Sequence, residues 1–110
     1  GKLDGVSIRV PTPNVSVVDL TFESLKETSE SEINSLIKKS SLNKLKGVLS
    51  YTEEKLVSMD FNHDPHSSIF AADQTKVLEK KMVRVLSWYD NEWGFSNRMS
   101  DTALELASLL

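Results

Sequence analysis

Alternating apolar and polar residues predict strands in the first part of the chain. Residues 6–10 read Val-Ser-Ile-Arg-Val, which is the two-residue period of a half-buried strand. Pro11 and Pro13 then interrupt the ladder, because proline has no backbone N–H to donate. A second strand is predicted over residues 15–22, with apolar residues on both faces. Both faces should therefore be partly covered, by this chain, by another subunit or by a segment outside it.

Helical spacing predicts two helices, one before the middle of the chain and one at its end. Ser29-Glu30-Ser31-Glu32 has the spacing of a capping box, and apolar residues then recur at helical intervals. This helix should end by Gly47, since glycine tolerates the left-handed conformation that closes helices. A terminal helix is predicted after residues 90–92. Its apolar stripe consists of Phe95, Met99, Leu106 and Leu110, with Ala103 nearby.

Further extended segments complete the predicted fold. They are residues 48–51, 56–61, 69–72 and 82–89, with a polar loop at 62–68 and a connection around 73–76 that could close an antiparallel hairpin. Strands and helices do not alternate regularly. The sequence therefore predicts an α+β domain, with a largely antiparallel or mixed sheet, a helix on one face and a C-terminal helix.

The amino-acid composition indicates a globular protein and argues against several other classes of protein. The 110 residues fit one domain, and 39% hydrophobic and 26% charged residues are ordinary for a globular protein. A net charge of -3 without a basic stripe predicts no nucleic-acid binding. No apolar run approaches membrane-spanning length, so we expect a cytoplasmic protein without a membrane partner. The absence of cysteine excludes disulfides, thiolate metal sites and a cysteine nucleophile within these residues.

Several polar groups could carry chemistry, but local patterns favour ordinary roles for most of them. The four glycines are too scattered for a dinucleotide fingerprint or a phosphate-binding loop. Two histidines and two aspartates at positions 60–66 could offer metal ligands, yet a solvated loop is the favoured interpretation. The serines that follow at 67 and 68 lack a positioned base and an orienting group, so no catalytic triad is predicted.

Arg9, Asn91 and the aromatic residues around Asn91 remain candidates for a binding site. The guanidinium of Arg9 matches the geometry of phosphate oxygens, although a solvated arginine or a surface ion pair is the commoner outcome. Asn91 and Asp90 are equal candidates to cap the terminal helix. The aromatic residues could line a pocket but more often form core. They are Trp88, Tyr89, Trp93 and Phe95.

Two long segments resemble the glyceraldehyde-3-phosphate dehydrogenase family. Residues 9–20 read Arg-Val-Pro-Thr-Pro-Asn-Val-Ser-Val-Val-Asp-Leu, and residues 87–98 read Ser-Trp-Tyr-Asp-Asn-Glu-Trp-Gly-Phe-Ser-Asn-Arg. Shorter matches at 45–49, 51–53, 60–61 and 66–68 extend the resemblance over nearly the whole chain. Two long matches in the same order make chance similarity a poor explanation.

The resemblance implies a fragment of a cytoplasmic, homotetrameric oxidoreductase of glycolysis. Such enzymes oxidise glyceraldehyde 3-phosphate with NAD and inorganic phosphate to 1,3-bisphosphoglycerate, through a cysteine nucleophile and an assisting histidine. By this resemblance, residues 1–90 are the C-terminal portion of the catalytic domain. Residues 91–110 are a helix that docks on an NAD-binding domain. We expect the 110 residues alone to be inactive.

The resemblance also implies roles for three residues. Arg9 should bind a phosphate group, Asn91 should bind the nicotinamide carboxamide, and Phe95 should lie near the nicotinamide ring. Many family members have tyrosine where Phe95 stands, so packing is kept while a hydroxyl contact is absent. NAD and NADP both stay open, because the residues that face the adenosine ribose lie outside these residues. The alternative hypothesis is a non-catalytic interaction or scaffold domain of the same fold.

Overall fold

A mixed five-stranded sheet and two helices make up the computed structural model, which describes residues 1–110. The strands are β1 (Ser16–Glu23), β2 (Leu49–Thr52), β3 (Ser68–Ala71), β4 (Lys76–Leu78) and β5 (Met82–Tyr89), and the helices are α1 (Glu30–Leu42) and α2 (Trp93–Ser108). The strand order is β1-β5-β3-β2, with β4 also paired to β5. Only β2 and β3 run parallel. The predicted α+β class and mixed sheet are confirmed.

The long antiparallel ladder between β1 and β5 positions the candidate site. Its register runs from Ser16 opposite Tyr89 to Glu23 opposite Met82. The predicted strands at 15–22 and 82–89 are therefore confirmed, within one residue for the first. Because the strands are antiparallel, the residues just before β1 lie beside the residues just after β5.

The first helix follows its capping signal. The Ser29 hydroxyl accepts a hydrogen bond from the Glu32 backbone N–H at 3.2 Å, and α1 ends at Leu42. The helix therefore ends before Gly47, as predicted, but its C-cap is Asn43. Gly47 lies in the turn that follows, with a φ of +80°. Asn34 donates from its side chain to the Ala72 carbonyl oxygen at 3.1 Å. This contact helps hold α1 against the sheet.

The core of the domain is small. Val15, Phe61 and Ile69 are buried together, and Trp88 stacks on Phe61 with 5.6 Å between ring centroids. Large apolar side chains of β1 stay exposed on both faces, so these residues do not themselves supply the predicted cover. The exposed side chains of β1 are Val17, Val18, Leu20 and Phe22. Neither helix is both long and apolar enough to cross a membrane.

Two predicted strands are wrong. Residues 6–10 form exposed coil, with Ile8 80% exposed, because no neighbouring strand pairs with them. The second error is the segment 56–61, which closes into a 3-10 turn at Ser58–Phe61. There the Asp60 carboxylate accepts the Val57 N–H at 2.8 Å. That local hydrogen bond favours a turn over an extended strand.

The predicted connection at 73–76 is only partly right. It contains a 3-10 turn at Ala72–Gln74 and the first residue of β4, a strand that the pattern did not reveal. The expected antiparallel pairing of β3 with β5 is present, but β4 lies between them in sequence. The hairpin joins β4 to β5, through Glu79 and Lys80 at φ values of +48° and +62°. Three residues, Glu79 to Lys81, lie between the paired Leu78 and Met82, and the side chains of Glu79 and Lys80 do not favour the left-handed conformation.

Candidate functional site

The junction between β5 and α2 carries two of the three predicted binding residues. Asn91 is exposed between the strand and the helix, and Phe95 lies in the first turn of α2 with 69% of its surface exposed. The junction meets the chain just before β1, as the antiparallel register requires. A binding surface at this point therefore combines residues near the start of β1 with residues just after β5.

Asp90 is the hub of the junction. It is only 4% exposed, and its carboxylate accepts four hydrogen bonds. One oxygen, Oδ1, accepts the backbone N–H groups of Glu92 at 3.0 Å and Trp93 at 2.8 Å. The other, Oδ2, accepts the Asn14 side-chain amide at 2.7 Å and the His63 backbone N–H at 2.9 Å. One carboxylate thus joins the start of α2, the segment just before β1 and the loop after the first 3-10 turn.

The electrostatics of Asp90 follow from these donors. Burial alone would raise the pKa of Asp90, because it disfavours the charged form. The backbone N–H groups of Glu92, Trp93 and His63 and the Asn14 amide outweigh burial, and together they lower the pKa of Asp90 from 3.8 to about 2. Asp90 is therefore an ionised, acceptor-only group at neutral pH.

Asn91 is held by β1 and does not cap the helix. Its Oδ1 accepts the Ser16 hydroxyl at 2.5 Å, and its backbone N–H donates to Asn14 Oδ1 at 3.4 Å. The N-cap position of α2 is Glu92, whose side chain makes no capping hydrogen bond, so the prediction of Asn91 or Asp90 as the N-cap residue is wrong. The Asp90 carboxylate nevertheless accepts the N–H groups of Glu92 and Trp93. The Nδ2 group of Asn91 has no partner in the chain, which leaves two donors for a ligand.

The loop with the two histidines stabilises the junction. His63 has a φ of +61°, and its ring lies 4.8 Å from that of Trp93. His66 Nδ1 lies 2.7 Å from Asp64 Oδ1. The structure contains no group of three or more histidine, aspartate or glutamate side chains placed to hold a metal ion. The ring contact of His63 and the hydrogen bond of His66 therefore help to fix the conformation of this loop.

The start of α2 approaches this loop very closely. A Cβ added to Gly94 would lie 2.7 Å from the His66 carbonyl oxygen and 3.2 Å from Ser67 Cα. Glycine is required here because any side chain would collide with the loop backbone. Trp93 and Phe95 on either side stay exposed, so the prediction that the aromatic cluster forms core is right for Trp88 and wrong for these two.

Arg9 is not joined to the junction by a hydrogen bond or an ion pair in this structure. It belongs to the exposed segment before β1 and is not on a strand, which corrects its predicted setting. Its guanidinium makes no hydrogen bond or ion pair, and nothing of that kind connects it to Asn91 or Phe95. The phosphate-binding role of Arg9 stays a prediction.

Sequence reasoning missed two residues that hold Asn91. Asn14 and Ser16 lie more than seventy positions from Asn91 along the chain, so no local motif connects them to it. A signal was nevertheless available. Pairing the predicted strand at 15–22 antiparallel to that at 82–89 would have placed both residues beside the junction.

Comparison with known proteins identifies the family of this chain. Residues 1–91 match the family described as glyceraldehyde 3-phosphate dehydrogenase, C-terminal domain. Glyceraldehyde-3-phosphate dehydrogenase of Cereibacter sphaeroides is 66% identical over 110 residues, covering 100% of this chain and 33% of that protein. The enzyme of Xanthobacter flavus is 62% identical over 109 residues, covering 99% of this chain and 32% of that protein.

The chain spans about a third of the length of these curated relatives. The relative from Zymomonas mobilis is 58% identical, over 100% of this chain and 33% of that protein. A family match over residues 1–91 covers most of the 110 residues. This chain belongs to the glyceraldehyde-3-phosphate dehydrogenase family, as a C-terminal domain.

Proposed function

We propose that this chain works as part of a phosphorylating, NAD-dependent glyceraldehyde-3-phosphate dehydrogenase in glycolysis. The full-length enzyme would oxidise glyceraldehyde 3-phosphate, with NAD and inorganic phosphate, to 1,3-bisphosphoglycerate. The observation that carries this proposal is the family match over residues 1–91. We place the enzyme in the cytoplasm, as expected for glycolysis.

In this proposal, this chain supplies only some of the residues that the reaction needs, and the rest of the enzyme supplies the others. These 110 residues contain no cysteine, so the thiolate that attacks the aldehyde must come from another segment. They also contain no glycine-rich dinucleotide fingerprint. The contribution of this chain is then to position ligands, and the 110 residues alone should show no dehydrogenase activity.

Asn91 and Phe95 fit a nicotinamide ring. When bound, NAD would accept the hydride from the substrate. Asn91 offers an unpartnered Nδ2 group for the polar carboxamide, and Phe95 offers an exposed flat apolar surface one helical turn further along. Rigid attachment of Asn91 to β1 and Asp90 would limit the entropy lost on binding.

Arg9 is our candidate for a phosphate ligand. Its guanidinium has no intramolecular ion-pair partner, so its donors are free for phosphate oxygens. Its exposed segment would gain a fixed position only through contacts with another part of the enzyme. In this proposal Arg9 and Asn91 act at one site after the segment before β1 has been ordered.

Exposed apolar surfaces support the proposed assembly. In α2 they are Phe95, Met99 and Leu106, and we propose that residues 91–110 dock this stripe on the NAD-binding domain. In β1 they are Val18, Leu20 and Phe22, which could face another subunit of a homotetramer. A polar or charged replacement on either surface should therefore weaken assembly.

The test is steady-state kinetics of the full-length enzyme that carries this chain. Arg9→Ala should lower kcat/KM for glyceraldehyde 3-phosphate by about 10- to 100-fold, which is the loss expected for a charge-assisted hydrogen bond. Lys2→Ala is the matched control, because it removes an exposed cation from the same segment.

Unchanged kinetics in Arg9→Ala would remove Arg9 from the site. Absence of any dehydrogenase activity in the full-length protein would favour the alternative, a non-catalytic interaction or scaffold domain. The exposed faces of β1 are the feature that such a domain would use.

A further inference from the structure

We infer that Asn14 and Val15 are positioning residues that hold a kink in the chain and thereby set the direction of the segment that carries Arg9. Residues 9–14 form this segment, and β1 begins just after the kink. The inference rests on the proposed phosphate role of Arg9, and it adds two residues that act on the guanidinium through the chain.

The backbone of Val15 is strained. Its φ is +73°, in the left-handed region, where a β-branched residue is an outlier because its side chain crowds the neighbouring carbonyl groups. Val15 is the only β-branched residue among the four non-glycine residues with positive φ; the others are His63, Glu79 and Lys80. Strain of this kind persists only where the surroundings hold it, and it is concentrated at functional sites.

Contacts on both sides of the kink hold the strained angle. The Val15 side chain is only 6% exposed and packs with Phe61 and Ile69. Ser16, the next residue, is already paired with Tyr89. The part of the chain that follows the Val15 N–Cα bond is therefore fixed.

The side chain of Asn14 fixes the part before that bond. Its Nδ2 group donates to Asp90 Oδ2 at 2.7 Å and to Asn62 Oδ1 at 2.8 Å. An ionised carboxylate can only accept, so the contact with Asp90 identifies the Asn14 donor as Nδ2. Rotation of Val15 to an extended φ of about −120° to −140° would move Asn14 away from both acceptors. The two hydrogen bonds therefore stabilise the strained conformation.

The chain between the kink and Arg9 has few freely rotating bonds. Pro11 and Pro13 each have a φ that the ring fixes. The Thr12 N–H donates to the Val10 carbonyl oxygen at 2.8 Å, which closes a three-residue turn centred on Pro11. The direction set at the kink is therefore transmitted to Arg9, and contacts with the rest of the enzyme need to remove only the remaining freedom. Less conformational entropy is then lost when the guanidinium binds phosphate.

The experiment compares two substrates of the full-length enzyme: glyceraldehyde 3-phosphate and D-glyceraldehyde, which lacks the phosphate group. The readout is the ratio of their kcat/KM values, which a general loss of folded enzyme or a change at the cofactor does not alter. Asn14→Ala removes the anchor of the kink and should lower this ratio by about three- to tenfold, which is less than the loss in Arg9→Ala.

Pro13→Gly tests the same connection outside the hydrogen-bonded junction, because it loosens the chain between the kink and Arg9. It should also lower the ratio by about three- to tenfold. Ser7→Gly is the matched control: it places a glycine at an exposed position on the other side of Arg9 and should keep the ratio within about twofold of the wild type. In an Arg9→Ala background, neither Asn14→Ala nor Pro13→Gly should lower the ratio further.

Each contrary outcome has its own meaning. An unchanged ratio in Arg9→Ala would remove Arg9 from the phosphate site and overturn its proposed role. A lower ratio in Arg9→Ala with an unchanged ratio in either Asn14→Ala or Pro13→Gly would overturn the positioning role alone. A further loss in the Arg9→Ala background would show that these changes act on the site without Arg9, and would also overturn the inference. If Asn14→Ala does not fold, Pro13→Gly decides.

Discussion

The junction around Asp90 and the segment around Arg9 are two candidate parts of one site, yet they differ in how these residues hold them. Asp90 is buried and accepts four hydrogen bonds from three regions of the chain. Arg9 lies in exposed coil and makes none. Both Arg9 and Asp90 lie within the family match over residues 1–91.

A segment can therefore match the family in sequence and still lack the contacts within these residues that would fix its position. The junction is fixed by contacts inside the chain, so its geometry should persist whatever surrounds it. The Arg9 segment has strand-like alternation but no strand to pair with, so its geometry depends on another partner. Variants of the chain can test this contrast directly.

The largest expected effect is that of Asp90→Ala. This change leaves the N–H groups at the start of α2, the His63 N–H and the Asn14 amide without their common acceptor. We expect a loss of about 3 kcal/mol in the free energy of unfolding, measured by urea denaturation of the chain.

The matched control for Asp90→Ala is Arg9→Ala, which should change the free energy of unfolding by less than about 0.5 kcal/mol. Equal losses in the two variants would contradict the contrast between the two regions, because the Arg9 segment would then contribute to the folded state of the chain.

A smaller loss is expected for Gly94→Ala. The new Cβ would meet the His66 carbonyl oxygen at 2.7 Å, so α2 or the loop must move. We expect a destabilisation of about 2 kcal/mol, as for overpacked sites, measured as a lower thermal midpoint. Ser96→Ala, at an exposed position of the same helix, should be neutral or slightly stabilising. A neutral Gly94→Ala would mean that the junction is less rigid than its contacts imply.

The pH dependence should give the smallest effect. Because folding lowers the pKa of Asp90 from 3.8 to about 2, its ionised form stabilises the fold above pH 3.8, and that stability is lost as the pH falls through about 2. The contribution is no more than about 2 kcal/mol. Urea denaturation across this range should show the wild type and Asp90→Asn converging at low pH.

Asp19→Asn is the comparison for the pH experiment. Its hydrogen bond with Arg84 lowers the pKa of Asp19, but that pair is exposed on β1 and β5, so the effect on the profile should be smaller. A constant gap between wild type and Asp90→Asn down to about pH 2 would contradict the assigned role of Asp90.

Local patterns predicted the elements whose stabilising contacts are nearby in sequence or strongly periodic. The bounds of β5 and the Ser29 cap of α1 are examples. Residues 6–10 failed because alternation shows that a segment can pair, and says nothing about whether a partner strand is present. The β4–β5 hairpin was missed because Glu79 and Lys80 occupy a turn that usually contains asparagine and glycine.

The residues of the candidate site also differ in how far local sequence patterns could reveal them. Their position before a periodic helix marked Asp90 and Asn91 as candidate caps, and only the family resemblance singled out Asn91 for a binding site. No local motif reveals Asn14 and Ser16, whose roles follow only once the predicted strands at 15–22 and 82–89 are paired antiparallel. The hydrogen bond between Ser16 and Asn91 is a product of tertiary structure, which no spacing within either segment encodes.

The wide separation of Asn14 and Asp90, 76 positions apart, also has a consequence for the order of folding. Contacts between such distant residues require closure of a long loop, so they are expected to form after the local helix and hairpin. We therefore expect the polar hub to assemble late on the folding pathway, once the two long strands have met. The residues that orient a ligand would then become ordered only when the sheet is complete.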